Sequence, residues 1–343
     1  MSTFTDKQQI RHLWELCFHE TKEFVDMYFK LRYSPEVTLC TRNNHHIVAA
    51  LQMLPYSMTY HGSEIAISYI SGACTHPDYR KQGIMYSLLS EAFKRMYEER
   101  IQLSTLIPAT PHLVDYYAHK GYVPVFRYAE HIFIPTGTTM PKTGILKRSN
   151  RFNRGEYEYL NRKLHERPCC IQHTPADYKA IVNGLRLDNG LIYTLKRQNA
   201  ITALALAYPE EETQSWYLGE CLADSPAYAL QLQTGICQEL GLSSLRVLTP
   251  PVPGEQSHVL GMGRIIRAHD MLQRYAAAHP DCQLNISLTD SELEANSGYY
   301  CLSNGICTKN AKQPTGSYLA LTIGQLAEKI CSTPAPYMSL MLN

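Results

Sequence analysis

An excess of either charge is missing from this chain: 32 lysines and arginines stand against 31 aspartates and glutamates in 343 residues, a formal net charge of +1. So even a balance gives no general attraction to a polyanion, and no nucleic-acid partner is expected. Long apolar runs are missing too. None is long enough to span a bilayer, and the opening Met1-Ser2-Thr3-Phe4-Thr5-Asp6-Lys7 is polar rather than a secretory leader. The expectation is a soluble cytoplasmic protein with no membrane partner. Metal-binding spacings are absent, with no Cys-x-x-Cys and no His-Glu-x-x-His. The 11 cysteines are odd in number and scattered, Cys169 and Cys170 alone being adjacent, so neither a zinc site nor a disulfide framework is indicated. They read as reduced thiols, mostly core. The length exceeds the usual single core and predicts two or three domains.

What is present centres on Ser68 to Glu99. Tyr69, Ile70, Ala73 and Cys74 mark a mostly buried strand, Pro77 and Asp78 break it, and Leu88, Leu89, Ala92, Phe93 and Met96 recur at helical spacing. The loop between, Arg80-Lys81-Gln82-Gly83-Ile84-Met85, lies at a helix N-terminus. Consecutive backbone N–H groups, the positive end of the helix dipole, two cations and a glycine that admits close approach make it a cradle for phosphate or pyrophosphate. The spacing is neither a Walker loop nor Gly-x-Gly-x-x-Gly.

This strand, loop and helix resemble the acyl-CoA signature of the GCN5-related N-acetyltransferases (GNAT), Gln/Arg-x-x-Gly-x-Gly/Ala, with Met85 in place of the usual small residue. The element order agrees. Helices over Asp6 to Phe18 and Lys22 to Leu31 precede strands Val37 to Cys40, Ile47 to Leu54 and Ser57 to Tyr60, with turns at Asn43-Asn44 and His61-Gly62. After the central helix come a strand Leu103 to Ile107, a short helix Leu113 to Lys120 and a strand pair around Val123 to Phe126 and His131 to Ile134. The resemblance implies that two strands diverge and offer unpaired backbone to the pantetheine arm of acetyl-CoA, as an added strand would. Here those groups are Gly72, Ala73 and Cys74 on one side and Leu106 and Ile107 on the other, Pro108 favouring the splay. The N–H of Cys74 is the expected oxyanion donor.

Leu113 to Pro124, with Tyr117, Gly121 and Tyr122, is similar to a segment of the enhanced-intracellular-survival (Eis) acetyltransferases. That likeness assigns Tyr117 as the general acid for the CoA thiolate, against the competing reading of a core tyrosine with its hydroxyl capped, and Tyr116 is the neighbour to be distinguished from it. Past a linker rich in Pro and Gly, the first half repeats in outline: helices Arg151 to His165 and Ala176 to Leu185, strands Leu191 to Leu195, Ile201 to Tyr208 and Trp216 to Cys221, helix Ala227 to Leu240, strand Leu245 to Leu248. Where the cradle should recur stands Leu222-Ala223-Asp224-Ser225-Pro226, with no glycine and an acid in the phosphate's place. A last unit, with helix Ala268 to Ala278 and a helix Ile323 to Cys331 capped by Thr322, is similar to a sterol-carrier-protein-like domain.

The expected fold is therefore α/β (α+β): a catalytic GNAT domain over 1–135, a second GNAT-like domain without a cofactor loop over 136–250, and a small sterol-carrier-like domain over 251–343. The apolar tail, with Tyr337, Met338, Leu340, Met341 and Leu342, is expected to be buried. By the Eis resemblance it enters the active site, where the terminal carboxylate of Asn343 would be the general base. The implied activity is transfer of acetyl from acetyl-CoA to the amine of a small molecule or peptide, with no metal; homo-oligomer formation is left open. Glu15, Glu20, Glu23 and Asp26 are either an attraction for a cationic amine or a solvated face. A CoA-sensing protein without turnover and a tRNA-dependent aminoacyl transferase are the rival classes.

Overall fold

The computed structural model describes residues 5–135, 144–210, 213–310, 312–313, 316–332 and 336–342. Two amphipathic helices lead, α1 (Asp6–Cys17) and α2 (Lys22–Leu31), each started by a threonine whose hydroxyl accepts a first-turn N–H. Strands β1 (Thr38–Asn43), β2 (His46–Tyr60) and β3 (Ser63–Thr75) follow, then α3 (Ile84–Glu98), β4 (Leu103–Leu106), α4 (His112–Ala118) and β5 (Val123–Phe133). The second half contains β6 (Ile145–Ser149), α5 (Arg154–His165), β7 (Cys169–Gln172), α6 (Pro175–Leu187), β8 (Leu191–Arg197), β9 (Ala200–Glu210), β10 (Ser215–Ala223), α7 (Pro226–Leu240) and β11 (Leu245–Thr249). The chain then runs through β12 (His258–Ile265), α8 (Ala268–Ala278), β13 (Leu284–Thr289), β14 (Gly298–Ser303), β15 (Ile306–Asn310), β16 (Leu319–Thr322) and α9 (Ile323–Ile330). Among the described residues no helix is long and apolar enough to cross a membrane.

The two halves share one 12-stranded sheet, ordered β1-β2-β3-β4-β12-β5-β11-β10-β9-β8-β6, with β7 paired to β2. A separate four-stranded sheet, β15-β14-β13-β16, belongs to the last unit. Its apolar face, with Ile286, Leu288, Tyr300 and Leu302, shares one core with Met271, Leu272, Leu326 and Ile330 and with Met58, Tyr60 and Ile67 of the first half. Inside that junction the fully buried Arg264 donates to Asp290 at 2.7 Å and to the Lys120 carbonyl at 2.7 Å, so its charge is paired where water cannot reach it.

Several expectations change. The first meander has one long β2, not strands broken at Pro55, because Pro55 falls between the part of β2 paired to β1, which ends at Gln52, and the part paired to β7, which starts at Ser57. The first turn is one residue later than expected, with Asn44 and His45 both at positive φ. The pair expected around Val123 and His131 is the single strand β5, whose first part pairs with β12 and whose second part pairs with β11. Strand β12, expected to lie with the last unit, joins the large sheet between β4 and β5. Its glycines permit this, since a Cβ on Gly261 would stand 2.8 Å from the Leu106 carbonyl and one on Gly263 would stand 2.9 Å from Val125. Short strands β6 and β7 were not expected at all.

Candidate active site

Strands β3 and β4 run parallel through Ile67↔Leu103, Ser68↔Ser104 and Tyr69↔Thr105, and there the pairing ends although β3 continues to Thr75. Against β2, register is lost between Ala50↔Cys74 and Gln52↔Ser71, which leaves Gly72 and Ala73 as a bulge outside the ladder. Gly72 is left-handed, with φ 58°, and a Cβ there would strike Trp14 Nε1 at 2.2 Å, so only glycine fits. With His76 N–H bonded to the Val48 carbonyl at 2.8 Å, ladder alternation turns the Cys74 N–H toward Ala50, while Gly72 and Ala73 stand outside the register.

The loop after β3 prepares an open helix start. Lys81 (φ 62°) and Gly83 (φ 76°) both take the left-handed conformation, and Gly83 caps α3 with no side chain bonded to the first-turn amides. At the matching place in the second half, Ser225 accepts from Tyr228 N–H and Pro226 removes a donor. Asp224 is already bonded there to Arg162 at 2.9 Å and to the Tyr159 hydroxyl at 3.2 Å. One helix start is open to an anion and the other is closed.

Ligand pockets typically measure about 300 to 1,000 Å³. The cleft at α3 measures 580 Å³ and is lined by Ala73, Cys74, Arg80, Lys81, Gly83, Ile84, Met85 and Tyr117, all expected there. Tyr116, Cys17, Phe18, Ala109 and Thr110, none of them expected as cofactor-binding, line it too. Gln82 turns back to donate to the Asp78 carbonyl at 3.2 Å, the Leu106 side chain lies in the core under α3, and Ile107 faces a different cleft. Tyr117 is 8% exposed, with burial raising its phenol to about 12, and among the described residues its hydroxyl has no protein hydrogen-bond partner. Tyr122, by contrast, is fully buried and shares a 2.6 Å hydrogen bond with Ser104, so it is the capped core tyrosine of this segment.

The second cleft, 450 Å³, opens between the halves and is lined by Phe24, Ile107, Asp188, Tyr208, Tyr217 and the tail from Tyr337 to Leu342. Tail burial is borne out for Tyr337 and Met338, 2% and 1% exposed. Tyr337 N–H donates to the Cys169 carbonyl at 3.0 Å and its carbonyl accepts from Ile171 N–H at 3.1 Å, extending the pairing of β7. Ser339 is held twice, its hydroxyl donating to Glu220 at 2.7 Å and its carbonyl lying 3.0 Å from His173 Nε2. Buried Glu220 in turn takes a bidentate pair from Arg167 at 2.7 and 2.8 Å. Asn343 lies outside the described residues; Leu342 lies against Gly184 in the cleft wall.

The charged side chains lining this cleft are Asp188, Glu210 and Arg246, and Glu210 is paired with Arg246. Burial raises Asp188, and burial with the neighbouring Asp188 charge raises Glu20, which stands near Asp188 outside the cleft lining. Of the other acids on the first two helices, Glu15 and Asp26 are paired with Arg11 at 2.9 and 2.6 Å. The nearness of Asp188 to Glu20 had no signal in the sequence, because the two come together only once the halves are joined.

Residues 2–125 match the model of the Acetyltransferase (GNAT) domain family. No curated protein matches the sequence. Among solved structures the chain is similar to a GCN5-related N-acetyltransferase from Anabaena variabilis, at 16% identity over 98% of both chains with TM-score 0.77. It is similar to a GCN5-related N-acetyltransferase from Kribbella flavida, at 15% identity over 100% of this chain and 97% of that one with TM-score 0.74. It is also similar to Eis1 from Mycobacterium abscessus, at 10% identity over 94% and 86% with TM-score 0.72. Residues 2–125 are thus similar to a GNAT acetyltransferase domain, and the chain as a whole shares the fold of these structures.

Proposed function

We propose that this protein is an acyl-CoA N-acyltransferase that moves the acetyl group of acetyl-CoA to the amine of a cationic small molecule or peptide, the cofactor lying in the cleft at α3 and the acceptor entering the cleft between the halves. The observation that carries the reading is the uncapped start of α3, with Lys81 and Gly83 left-handed, opening on the cleft that Tyr117 lines. Arg80, Lys81 and the amides from Gly83 to Met85 hold the pyrophosphate, and the bulge exposes the N–H of Ala73 to the thioester carbonyl as oxyanion donor. The deprotonated amine attacks that carbonyl. Tyr117 donates a hydrogen bond to the sulfur as the C–S bond breaks.

The acidity of Tyr117 limits how it acts. A phenol at about 12 cannot fully protonate a thiolate near 8.5 without an uphill step of about 5 kcal/mol. Its contribution is donation to the developing thiolate, whose own proton affinity rises in the same dry cleft. The carboxylate of Asn343 is assigned as the base that takes the amine proton, and the last unit shapes the cleft rather than carrying lipid.

Glu20 and Asp188 favour a cationic acceptor, and in a neutral chain they argue against a tRNA partner. The test is thiol release from acetyl-CoA with polyamines, aminoglycosides and lysine-containing peptides as acceptors. Release with at least one amine supports the reading. Tight acetyl-CoA binding with no release across the panel would instead make the protein a CoA-binding module.

A further inference from the structure

The cofactor cleft contains a pair of thiols that acetyl transfer does not use. Cys17, at the end of α1, and Cys74, on β3 just past the bulge, both line it and pack in one cluster, and Cys17 Sγ donates to the carbonyl of Thr75, the residue after Cys74, at 3.4 Å. Cys17 is half-buried, within reach of a small solute, while Cys74 is buried. Arg80 bridges the pair to the cradle: its Nε donates to the Thr75 carbonyl at 3.1 Å and its Nη2 lies 3.7 Å from Cys17 Sγ. We propose that Cys17 is an oxidant-sensitive thiol that forms a disulfide with Cys74 and thereby closes the acetyl-CoA cleft.

The chemistry follows from the surroundings of each sulfur. The neighbouring Cys74 and then the Arg80 guanidinium lower Cys17 against the opposing effect of burial, and this favours its thiolate. The neighbouring Cys17 and burial raise Cys74, which stays protonated. Burial also pushes Cys170 and Cys331 up to about 12, which leaves them poor nucleophiles. With hydrogen peroxide as oxidant, the Cys17 thiolate attacks one oxygen, the O–O bond breaks, and hydroxide leaves as Cys17 becomes a sulfenic acid. The released hydroxide takes the Cys74 proton to form water, the Cys74 thiolate attacks Cys17 sulfur, and the S–O bond breaks with loss of hydroxide. Two thiols have been oxidised and one peroxide reduced.

Closure follows from geometry and charge. The sulfurs must move from contact to about 2.05 Å, drawing the end of α1 onto the strand that carries Ala73. The disulfide is neutral, so Arg80 loses the anion that anchors it beside the cradle. Disulfide formation itself is independent of the assigned function; its effect on acetyl-CoA rests on the function proposed above.

The full-length protein is treated with hydrogen peroxide, and peptide mass mapping is set beside calorimetry with acetyl-CoA before and after dithiothreitol. The expected result is a Cys17–Cys74 cross-linked peptide with two hydrogens lost, and acetyl-CoA affinity weakened by about tenfold or more and restored on reduction. In Cys74→Ser the reaction should stop at the sulfenic acid, trapped on Cys17 by dimedone. Cys17→Ser should form no cross-link, with affinity after peroxide equal to its own untreated value. Absence of the cross-link in the unaltered protein, or a cross-linked protein that binds acetyl-CoA as tightly as its reduced form, overturns the proposal. A reduced protein that does not bind acetyl-CoA sinks the assigned function instead, and the mass map still decides the disulfide.

Discussion

Replacing Tyr117 by phenylalanine removes one oxygen from the cofactor cleft, and the surroundings set what that should cost. Because the hydroxyl has no protein partner among the described residues, its loss orphans nothing, and the melting temperature should hardly move. Turnover is different. A hydrogen bond to a charged sulfur contributes roughly 1.5 to 3 kcal/mol, or about ten- to a hundredfold in rate. Acetyl-CoA affinity should stay near its original value, since the bond strengthens only as the thiolate forms. Tyr116→Phe is the register control, as its ring is half-buried in the same cleft, and it should change turnover far less. Tyr122→Phe is the opposite control. It leaves buried Ser104 without its 2.6 Å partner, costing about 1 to 3 kcal/mol of stability. Steady-state thiol release, calorimetry and thermal melts on the three variants separate these effects. A Tyr117→Phe enzyme within twofold of the original rate, or one matched by Tyr116→Phe, refutes the reasoning.

Gly83→Asp should abolish acetyl-CoA binding by calorimetry while leaving the protein folded: a Cβ there meets open space, so the fold bears only a left-handed penalty of about 1 kcal/mol, while the carboxylate occupies the anion site. Asp188→Asn with Glu20→Gln should raise KM for a polyamine by about tenfold and leave kcat nearly unchanged, and kcat falling instead would remove these acids from acceptor binding. The pH signs for that pair oppose each other. Burial raises both carboxyls, so as the pH falls through their folded values the cleft loses charge and cation affinity drops, while fold stability gains because the native state binds the extra protons; the double variant should lack both responses. Glu220→Ala should cost about 3 to 5 kcal/mol, since it strands the Arg167 charge and frees Ser339, and protease should then reach the tail; a protected tail would mean that Tyr337 and Met338 suffice to seat it.

What the sequence made legible was local. The start of the last helix could be read from Thr322, which the structure shows in a capping box with Gln325, and the cradle from six residues whose physics needs nothing distant. What it hid was the choice of partner. Nothing in Val123 to Phe133 announces a strand that changes neighbours midway, and nothing in His258 to Ile265 announces insertion between β4 and β5. Those pairings are decided by the facing strands, through Gly261 and Gly263 against Leu106 and Val125, and periodicity within one segment cannot carry them. The site divides along the same line. The proposed cofactor half is built mostly from nearby chain, whereas the proposed acceptor half exists only where Phe24, Asp188 and the tail meet from three parts of the sequence. That division has a consequence for change during evolution. The cradle constrains a few adjacent residues, while the acceptor cleft varies with any shift between the halves, so this fold can hold its cofactor chemistry fixed and still alter the amine it receives.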